Sequence, residues 1–300
     1  MYRWALSVVT IASLILGGAS ALAVETSRDV TLRLAVKGRQ RIAYLHVPAN
    51  PAAKRYPLII AYHGGAGNAE GYIQQSRIFD KGEQAGFMVV CPQATTLPGG
   101  GNHRVWNSGA EYALPSRHAD DVAFTEALIR EIGAKYPLDS KRIYATGFSN
   151  GGQMSYRAAL ELSQTIAAIA PMSGARLAGA LRPGRAVPVL HIHGTADGYY
   201  PLQGGLGAYS LGPTPHVPIQ AVMSEWAVFN GARAAPQSIR REGWESELYA
   251  GRAPVELVLV DGMGHQIAGG ADNHLPDQPM RDSPDAVAMA IKFFAAHPMP

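Results

Sequence analysis

The sequence predicts an α/β protein built on a mostly parallel central sheet of about eight strands, with helices on both faces. Short apolar, β-branched runs alternate with longer segments of helical periodicity from about residue 55 onwards. Most of these runs are apolar throughout, which is typical of parallel strands buried on both faces. No internal repeat or low-complexity tract interrupts the pattern. We therefore expect a single domain over residues 24–300.

Eight segments are predicted to be strands. The first two, residues 31–36 and 41–47, are expected to form an antiparallel pair that leads into the sheet. The other six are the apolar runs of the parallel part, and several of them are closed by glycine or proline. They are residues 57–65, 87–92, 142–147, 166–171, 187–194 and 254–262.

Three segments between the strands are predicted to be helices: residues 120–136, 151–163 and 283–297. The first has apolar residues at helical spacing and acidic residues near its start. In the last, Ser283 is the predicted N-cap and Pro284 the first helical residue, a position that proline tolerates because its missing N–H has no helical partner there.

The first 23 residues predict a secretory signal peptide. One positive charge, Arg3, precedes an apolar stretch from Trp4 to Leu16, and small residues follow at two rival cleavage sites. A membrane-spanning helix needs roughly 17–25 apolar residues, and this stretch is shorter. We therefore expect a secreted or periplasmic protein with no stable membrane anchor.

Composition and charge exclude several classes of partner. The chain has 26 Lys and Arg against 23 Asp and Glu, and no run of like charges. Nucleic acid or an anionic surface is therefore not expected as the main partner. The single cysteine, Cys91, cannot form an internal disulfide and lies at the end of a predicted buried strand, so we predict a structural role for it.

One serine stands between two glycines where a predicted strand meets a predicted helix. The spacing from Gly147 to Gly151 fits G-x-S-x-G, a weak signal that gains weight from the strand before it and the helix after it. Such a turn holds Ser149 in strained geometry at the carboxyl end of the sheet, where open α/β sheets bind ligands. Ser149 is thus the predicted nucleophile, and the alternative is an ordinary glycine-rich turn.

A serine nucleophile needs a base and an orienting acid, and in this arrangement an Asp or Glu and then a His follow the serine. Asp197 lies just past a predicted strand end, and His265 lies in the loop past the last predicted strand. Asp261 is a rival acid at the end of that strand. His191 and His193 alternate on one strand face and are expected to be core or hydrogen-bonding residues rather than metal ligands. No metal or organic cofactor is expected.

Two backbone N–H groups are predicted to hold the oxyanion of the reaction. Asn150 follows the nucleophile at a helix N-terminus, where N–H groups favour an anion. Gly65 lies in "HGGAGN" after the predicted strand "LIIA", and its missing Cβ lets a substrate oxygen come near. The alternative is that these glycines only permit a turn with positive φ.

Two long loops, residues 94–120 and 198–218, are expected to shape the substrate pocket, because long irregular loops in a compact domain are often functional. Trp106, Tyr199 and Tyr200 lie in them. Each could stack on an aromatic acyl group or a sugar, or could instead anchor its own loop.

Six blocks of sequence together resemble the secreted polyhydroxybutyrate depolymerase and feruloyl esterase group of α/β-hydrolases. They are "HGGAGN", "DDVAFTEALI", "YPLDSKRIYATGFSNGGQM", "PVLHIHGTADGYYP", "MSEWAVFNGA" and "GMGHQIAGG", and the resemblance runs from about residue 40 to 295. It implies the α/β-hydrolase fold, with Ser149 as nucleophile, Asp197 as acid and His265 as base. Members typically carry Trp-Pro two residues after the catalytic histidine, where this chain has Ile267-Ala268.

The expected function is that of an exported serine carboxylic-ester hydrolase that acts through an acyl-enzyme. Its expected substrates are feruloyl-type plant cell-wall esters or poly- and oligo(3-hydroxybutyrate) esters. Two alternatives remain. An acyltransferase would use the same triad, and an inactive hydrolase fold would bind carbohydrate or polymer without cleaving it.

Overall fold

The computed structural model describes residues 26–49, 54–96, 103–109, 119–175, 183–210 and 215–300. The predicted signal peptide lies outside these ranges, as do parts of both predicted long loops.

Most strands of the described ranges belong to one sheet. The strands are β1 (Arg28–Val36), β2 (Arg39–Val47), β3 (Tyr56–Tyr62), β4 (Met88–Pro92), β5 (Thr95–Thr96), β6 (Arg104–Val105), β7 (Leu138–Phe148), β8 (Ala168–Met172), β9 (Val189–Gly194), β10 (Gln237–Arg241), β11 (Trp244–Tyr249) and β12 (Val255–Val260). Ten of them form the sheet in the order β1-β2-β4-β3-β7-β8-β9-β12-β11-β10. The six from β4 to β12 are parallel, and an antiparallel pair flanks them at each edge. The mostly parallel sheet is confirmed.

The hairpin of β10 and β11 adds two strands to the eight that the sequence predicts. All residues of β10 are exposed, and β11 is only partly buried. Neither strand therefore needs the continuous apolar run that marks the buried strands. The first predicted loop also contains regular structure, since β5 and β6 pair antiparallel within it.

Six helices lie within the described ranges. They are α1 (Ala69–Ser76), α2 (Ile78–Ala85), α3 (Asp121–Lys135), α4 (Asn150–Glu161), α5 (Ile219–Phe229) and α6 (Ala286–Ala296). Among the residues described, no helix is both long and apolar enough to cross a bilayer.

The three predicted helices correspond to α3, α4 and α6, but the predicted N-cap of α6 is wrong. The helix starts at Ala286, and the carboxylate of Asp285 accepts the N–H of Ala288. Ser283 and Pro284 both precede this cap. Aspartate and serine are equally good N-caps, so the sequence pattern alone does not choose between them.

Helices cover both faces of the sheet, and the alternation of side chains along β3 shows how. Leu58, Ile60 and Tyr62 pack with apolar residues of α3, α4 and α5. Ile59 and Ala61 point the other way, into the core formed with α1, α2 and α6. Every residue of β3 is buried, which explains the uninterrupted apolar run in the sequence.

The single cysteine has the predicted structural setting. Cys91 is buried in β4, and this burial raises the pKa of its thiol well above the usual value.

A buried ion pair joins the antiparallel lead-in of the sheet to α3. The Arg41 guanidinium lies 2.6 Å from the Asp121 carboxylate, and both side chains are almost fully buried. The other Asp121 oxygen accepts the backbone N–H of Asn107 at 2.7 Å. Arg41 also lies over the Phe124 ring at 4.0 Å. One carboxylate therefore fixes a strand, a helix and the loop after β6.

Replacement of Asp121 by Ala should lower the free energy of unfolding by about 3–5 kcal/mol, because it leaves the Arg41 charge buried without its partner. Equilibrium denaturation of the purified protein measures this loss. Asp80→Ala is the matched control, since it breaks the exposed Arg77–Asp80 pair at 3.3 Å, and such pairs contribute less than about 1 kcal/mol. Equal losses of unfolding free energy in the two variants would contradict the stabilising role of the buried Arg41–Asp121 pair.

Candidate active site

The turn that carries Ser149 has a backbone conformation that few residues adopt. Strand β7 ends at Phe148 and α4 begins at Asn150, and Ser149 between them has φ 57° and ψ −121°. Positive φ is uncommon for residues other than glycine and marks local strain. Hydrogen bonds hold it on both sides: Ser149 N–H donates to Met172 O at 2.9 Å, and Ser149 O accepts Gln153 N–H at 3.0 Å.

The two glycines of the motif are required by close backbone contact. A Cβ on Gly151 would lie 2.1 Å from the carbonyl oxygen of Tyr62, and a Cβ on Gly147 would lie 2.5 Å from the backbone of Gly151. Any side chain would push α4 away from β3 and β7. The glycines thus let the helix begin directly against the strands, as the sequence pattern predicts.

Asp197 and His265 come together from two different loops at the carboxyl edge of the sheet. Asp197 follows β9 and His265 follows β12, and their Oδ2 and Nδ1 atoms are 2.8 Å apart. A carboxylate only accepts, so Nδ1 carries the proton. In the neutral ring, the lone pair of Nε2 is then available to accept another proton.

The environment of Asp197 keeps its carboxylate ionised. Burial raises the pKa of Asp197, but His265, His193 and the Tyr200 N–H together outweigh burial and hold the pKa below the usual value. The second carboxylate oxygen accepts the backbone N–H groups of Tyr199 and Tyr200, each at 2.9 Å.

The rival acid, Asp261, lies in a different environment. It is partly exposed and forms an ion pair with Arg240 at the sheet edge. The carboxylate in contact with His265 is therefore that of Asp197.

Aromatic rings and one glutamine set the position of His265, which is buried. Its ring centroid lies 4.7 Å from those of Phe148 and Tyr199. Because Phe148 directly precedes Ser149, this contact brings the imidazole beside the serine turn. Gln278 Oε1 accepts both His265 N–H at 2.7 Å and Gly198 N–H at 3.2 Å. Gln278 thus joins the two loops, and no sequence motif singles it out.

The two predicted oxyanion residues are neighbours in space. A Cβ on Gly65 would lie 3.5 Å from the Cβ of Asn150. The side chain of Asn150 is engaged elsewhere, because its Oδ1 accepts Trp106 N–H at 2.7 Å and its Nδ2 donates to Ser108 Oγ at 2.9 Å. Its backbone N–H belongs to the first residue of α4, where N–H groups have no partner within the helix.

Two of the three aromatic residues predicted for substrate contact are buried in the structure. Trp106 is completely buried, and its indole N–H donates to His63 O at 2.9 Å. Tyr200 is also buried. The prediction that these two stack on substrate is therefore corrected in favour of the loop-anchoring alternative. Tyr199 stays partly exposed between the rings of His265 and Tyr209.

The glycine-rich loop after β3 is held by a buried neutral histidine. His63 Nδ1 donates to Gly64 O at 2.7 Å, and its Nε2 accepts Ala94 N–H at 3.1 Å. Burial lowers the pKa of His63 to about 4, so the ring is uncharged at neutral pH. The ring thereby ties the loop of Gly65 to the segment after β4.

A groove of about 420 Å³ opens beside Gly65, one of the two predicted oxyanion residues. Gly65 and Phe148 line it on the side of the serine turn, and Gln75, Asp272 and Asn273 contribute polar side chains.

Ile267 and Ala268 are completely buried in the core that includes α6. They form the pair at which the sequence departs from the Trp-Pro of the family that it resembles. They are absent from the residues that line this groove.

Two observations bear on metal binding. Within the described part of the chain, no three His, Cys, Asp or Glu side chains are arranged to hold a metal ion. His191 and His193 are fully buried and hydrogen-bonded to each other at 3.1 Å.

The site has the arrangement found in α/β-hydrolases. A serine lies on a strand–helix turn, an acid follows a later strand, and a histidine follows the last parallel strand. The fold agrees with solved structures of that class. An acetyl xylan esterase from Aspergillus awamori has a TM-score of 0.62, over 79% of this chain and 94% of that one, at 18% sequence identity. More particularly, the family model described as Esterase PHB depolymerase matches residues 42–245, and the chain belongs to that family.

Two curated relatives share part of the chain. Feruloyl esterase B of Piromyces equi is 35% identical over 222 residues, which are 71% of this chain and 40% of that protein. A bifunctional acetylxylan esterase/xylanase of Neocallimastix patriciarum is 31% identical over 177 residues, 58% of this chain and 24% of that protein. The match thus spans less than half the length of either relative.

The buried state of His63 should make the protein less stable in acid. Unfolded His63 binds a proton below its usual pKa of 6.5, whereas the folded residue resists protonation down to about pH 4. Stability is therefore lost as the pH falls through this window, by up to about 3 kcal/mol for this residue.

Denaturation of wild type and His63→Gln across this window measures the effect, because the variant lacks the titrating ring. The difference in unfolding free energy between the two should shrink in acid, and parallel curves would contradict the buried neutral state.

Proposed function

We propose that the protein is an exported serine carboxylic-ester hydrolase. The observation that supports this most directly is the 2.8 Å contact between Asp197 and His265 beside the strained turn of Ser149. Membership of the Esterase PHB depolymerase family supports the same class of reaction. The catalytic domain of this proposal comprises residues 24–300. Export is supported by the charge and apolar pattern of residues 1–23.

In the proposed first step, Ser149 Oγ attacks the ester carbonyl carbon while His265 Nε2 takes the hydroxyl proton. The carbonyl oxygen becomes negative and accepts hydrogen bonds from the N–H groups of Asn150 and Gly65. Collapse of this intermediate breaks the bond to the alcohol oxygen, which receives the proton from His265. The product on the protein is an acyl-Ser149 ester.

In the second step, water attacks the acyl carbon, and His265 takes a proton from it. Collapse of the new intermediate returns the proton to Ser149 Oγ and releases the carboxylic acid. Asp197 fixes the ring with Nδ1 protonated and stabilises the imidazolium of each step. The N–H groups of Tyr199 and Tyr200 bond to Asp197, and Gln278 accepts the N–H of His265. These bonds keep the acid and the base in position relative to each other.

The substrates we propose are feruloyl-type plant cell-wall esters or poly- and oligo(3-hydroxybutyrate) esters. The names of two relatives, a feruloyl esterase and an acetylxylan esterase/xylanase, favour esters attached to polysaccharide. The groove beside Gly65 includes the polar side chains of Asp272 and Asn273, which suit a substrate that carries hydroxyl groups.

A substrate panel tests this proposal with purified protein. Methyl ferulate, hydroxybutyrate oligomers and acetylated xylan are each assayed for released acid. Turnover of any of them supports the hydrolase. Transfer of the acyl group to an added alcohol without hydrolysis would indicate the acyltransferase, and binding without turnover would indicate an inactive binding protein.

Ser149→Ala should lower kcat by several orders of magnitude, on the order of 10⁶ when compared with other nucleophile deletions. The melting temperature should change little, because one hydroxyl at the surface of the turn is removed. Ser155→Ala is the control, since Ser155 lies in α4, the helix that follows Ser149, and its hydroxyl donates to Gly152 O. Near-normal turnover by Ser149→Ala would end the serine mechanism.

Asp197→Asn should reduce kcat by about 10⁴-fold, because the amide no longer holds the required tautomer of the histidine. Asp261→Asn removes the charge that pairs with Arg240 and should leave kcat close to that of wild type. Steady-state kinetics of both variants on the same ester decide between the two acids. The opposite ranking would refute Asp197 as the acid.

A further inference from the structure

A chain of buried hydrogen bonds runs behind the predicted acid. His191 and His193 lie on the same face of β9 and are fully buried. The Tyr156 hydroxyl is 2.7 Å from His191 Nδ1, and His191 Nε2 is 3.1 Å from His193 Nδ1. The chain ends where His193 Nε2 lies 2.8 Å from the carbonyl oxygen of Tyr200. It therefore connects α4, β9 and the loop of Asp197.

The Tyr200 carbonyl at the end of the chain determines which atom donates in each hydrogen bond. The Tyr200 carbonyl can only accept, so His193 Nε2 carries a proton and donates it. Burial lowers the pKa of both histidines, so each ring is neutral and carries one proton. His193 Nδ1 must then accept from His191 Nε2. His191 Nδ1 in turn accepts the hydroxyl proton of Tyr156.

With these donor and acceptor roles, the Nε2–H group of His193 points at the loop that carries Asp197. Tyr200 accepts the His193 proton through its carbonyl and donates its own N–H to Asp197 Oδ1 at 2.9 Å. His193 Nε2 also lies 3.6 Å from Asp197 Oδ2. That distance is too long for a hydrogen bond, but His193 is close enough to help lower the pKa of Asp197.

His193 bonds to the Asp197 loop from the core side, whereas Gln278 bonds to the same loop through Gly198 N–H. Titratable neighbours of the loop include His265, which bonds to Asp197, the half-buried His216, whose ring centroid lies 4.4 Å from that of Tyr200, and Tyr209, which stacks on Tyr199. Both ring nitrogens of His193 are engaged within the protein.

We propose that His193 is a positioning residue for Asp197, and that the Tyr156–His191–His193 chain keeps it in the tautomer that donates to Tyr200. The inference rests on the proposed function, because it gives His193 a role only if Asp197 orients a catalytic histidine. His193 does not touch the reacting atoms. It acts by keeping the Asp197 loop in place and its carboxylate beside His265.

Two substitutions of the same chemical type test this role. The amide nitrogen of Gln lies as many bonds from Cβ as His Nε2 does, so His193→Gln keeps a donor for Tyr200 O. Asn is shorter, and its amide ends near the position of Nδ1. Displacement of a catalytic group by about 1 Å can cost about 10²-fold in rate. We therefore expect kcat to fall about 10²-fold in His193→Asn and to stay within about fivefold of wild type in His193→Gln.

The split between kcat and KM separates positioning from structural damage. KM should remain within about threefold of wild type in both variants, because no substrate contact is removed. Asn230→Ala is the control: it deletes a buried bond to the Val187 carbonyl, 2.7 Å long, just before the start of β9. Its kcat should stay within about twofold of wild type even if its melting temperature falls, since distant sites act independently.

The outcomes distinguish a failure of the proposed function from a failure of the role proposed for His193. Wild-type protein with no ester turnover, or a fully active Ser149→Ala, would remove the proposed function and this inference with it. An active wild type with equal kcat in His193→Gln and His193→Asn would overturn this inference alone.

If the Asn variant does not fold, Tyr156→Phe tests the chain from its other end by removing one oxygen. A kcat about tenfold lower at unchanged KM is expected, since His191 is free to change tautomer. An unchanged kcat would overturn the inference.

Discussion

The contact between the first turn of α4 and the backbone of β3 is the constraint on which the site depends. Gly151 brings the helix so near that any Cβ would collide with the Tyr62 carbonyl. Because β7 must enter this helix without an intervening loop, Ser149 adopts positive φ. The same approach sets Asn150 beside Gly65. The positions of the proposed nucleophile and of the two proposed oxyanion residues thus share one geometric cause.

The sheet could be predicted from the sequence wherever burial dictates composition. β3 and β9 are buried along their whole length, so their residues are apolar or hydrogen-bonded in the core. The hairpin of β10 and β11 has no such signature because solvent reaches it. The start of α6 was not decided by the sequence either, since Ser283 and Asp285 are equally suitable caps and only the chain path selects Asp285.

The order of Ser149, Asp197 and His265 could be predicted because strand ends meet at one edge of a parallel sheet, whatever fills the loops. The residues that support them could not. Gln278 accepts from both loops through a contact 13 residues from His265 in sequence, and no local pattern marks it. Trp106 has the residue type of a ligand-binding aromatic, yet tertiary packing turns its ring inward.

The exposed strand β10 ends the sheet with a row of backbone groups with which another extended chain can pair. Its last two residues are Arg240 and Arg241, and every side chain of the strand faces water. A strand from a second molecule would have to strip water from these guanidinium groups as it paired. Charged groups at this edge therefore raise the cost of adding a strand beside β10, which disfavours aggregation through it.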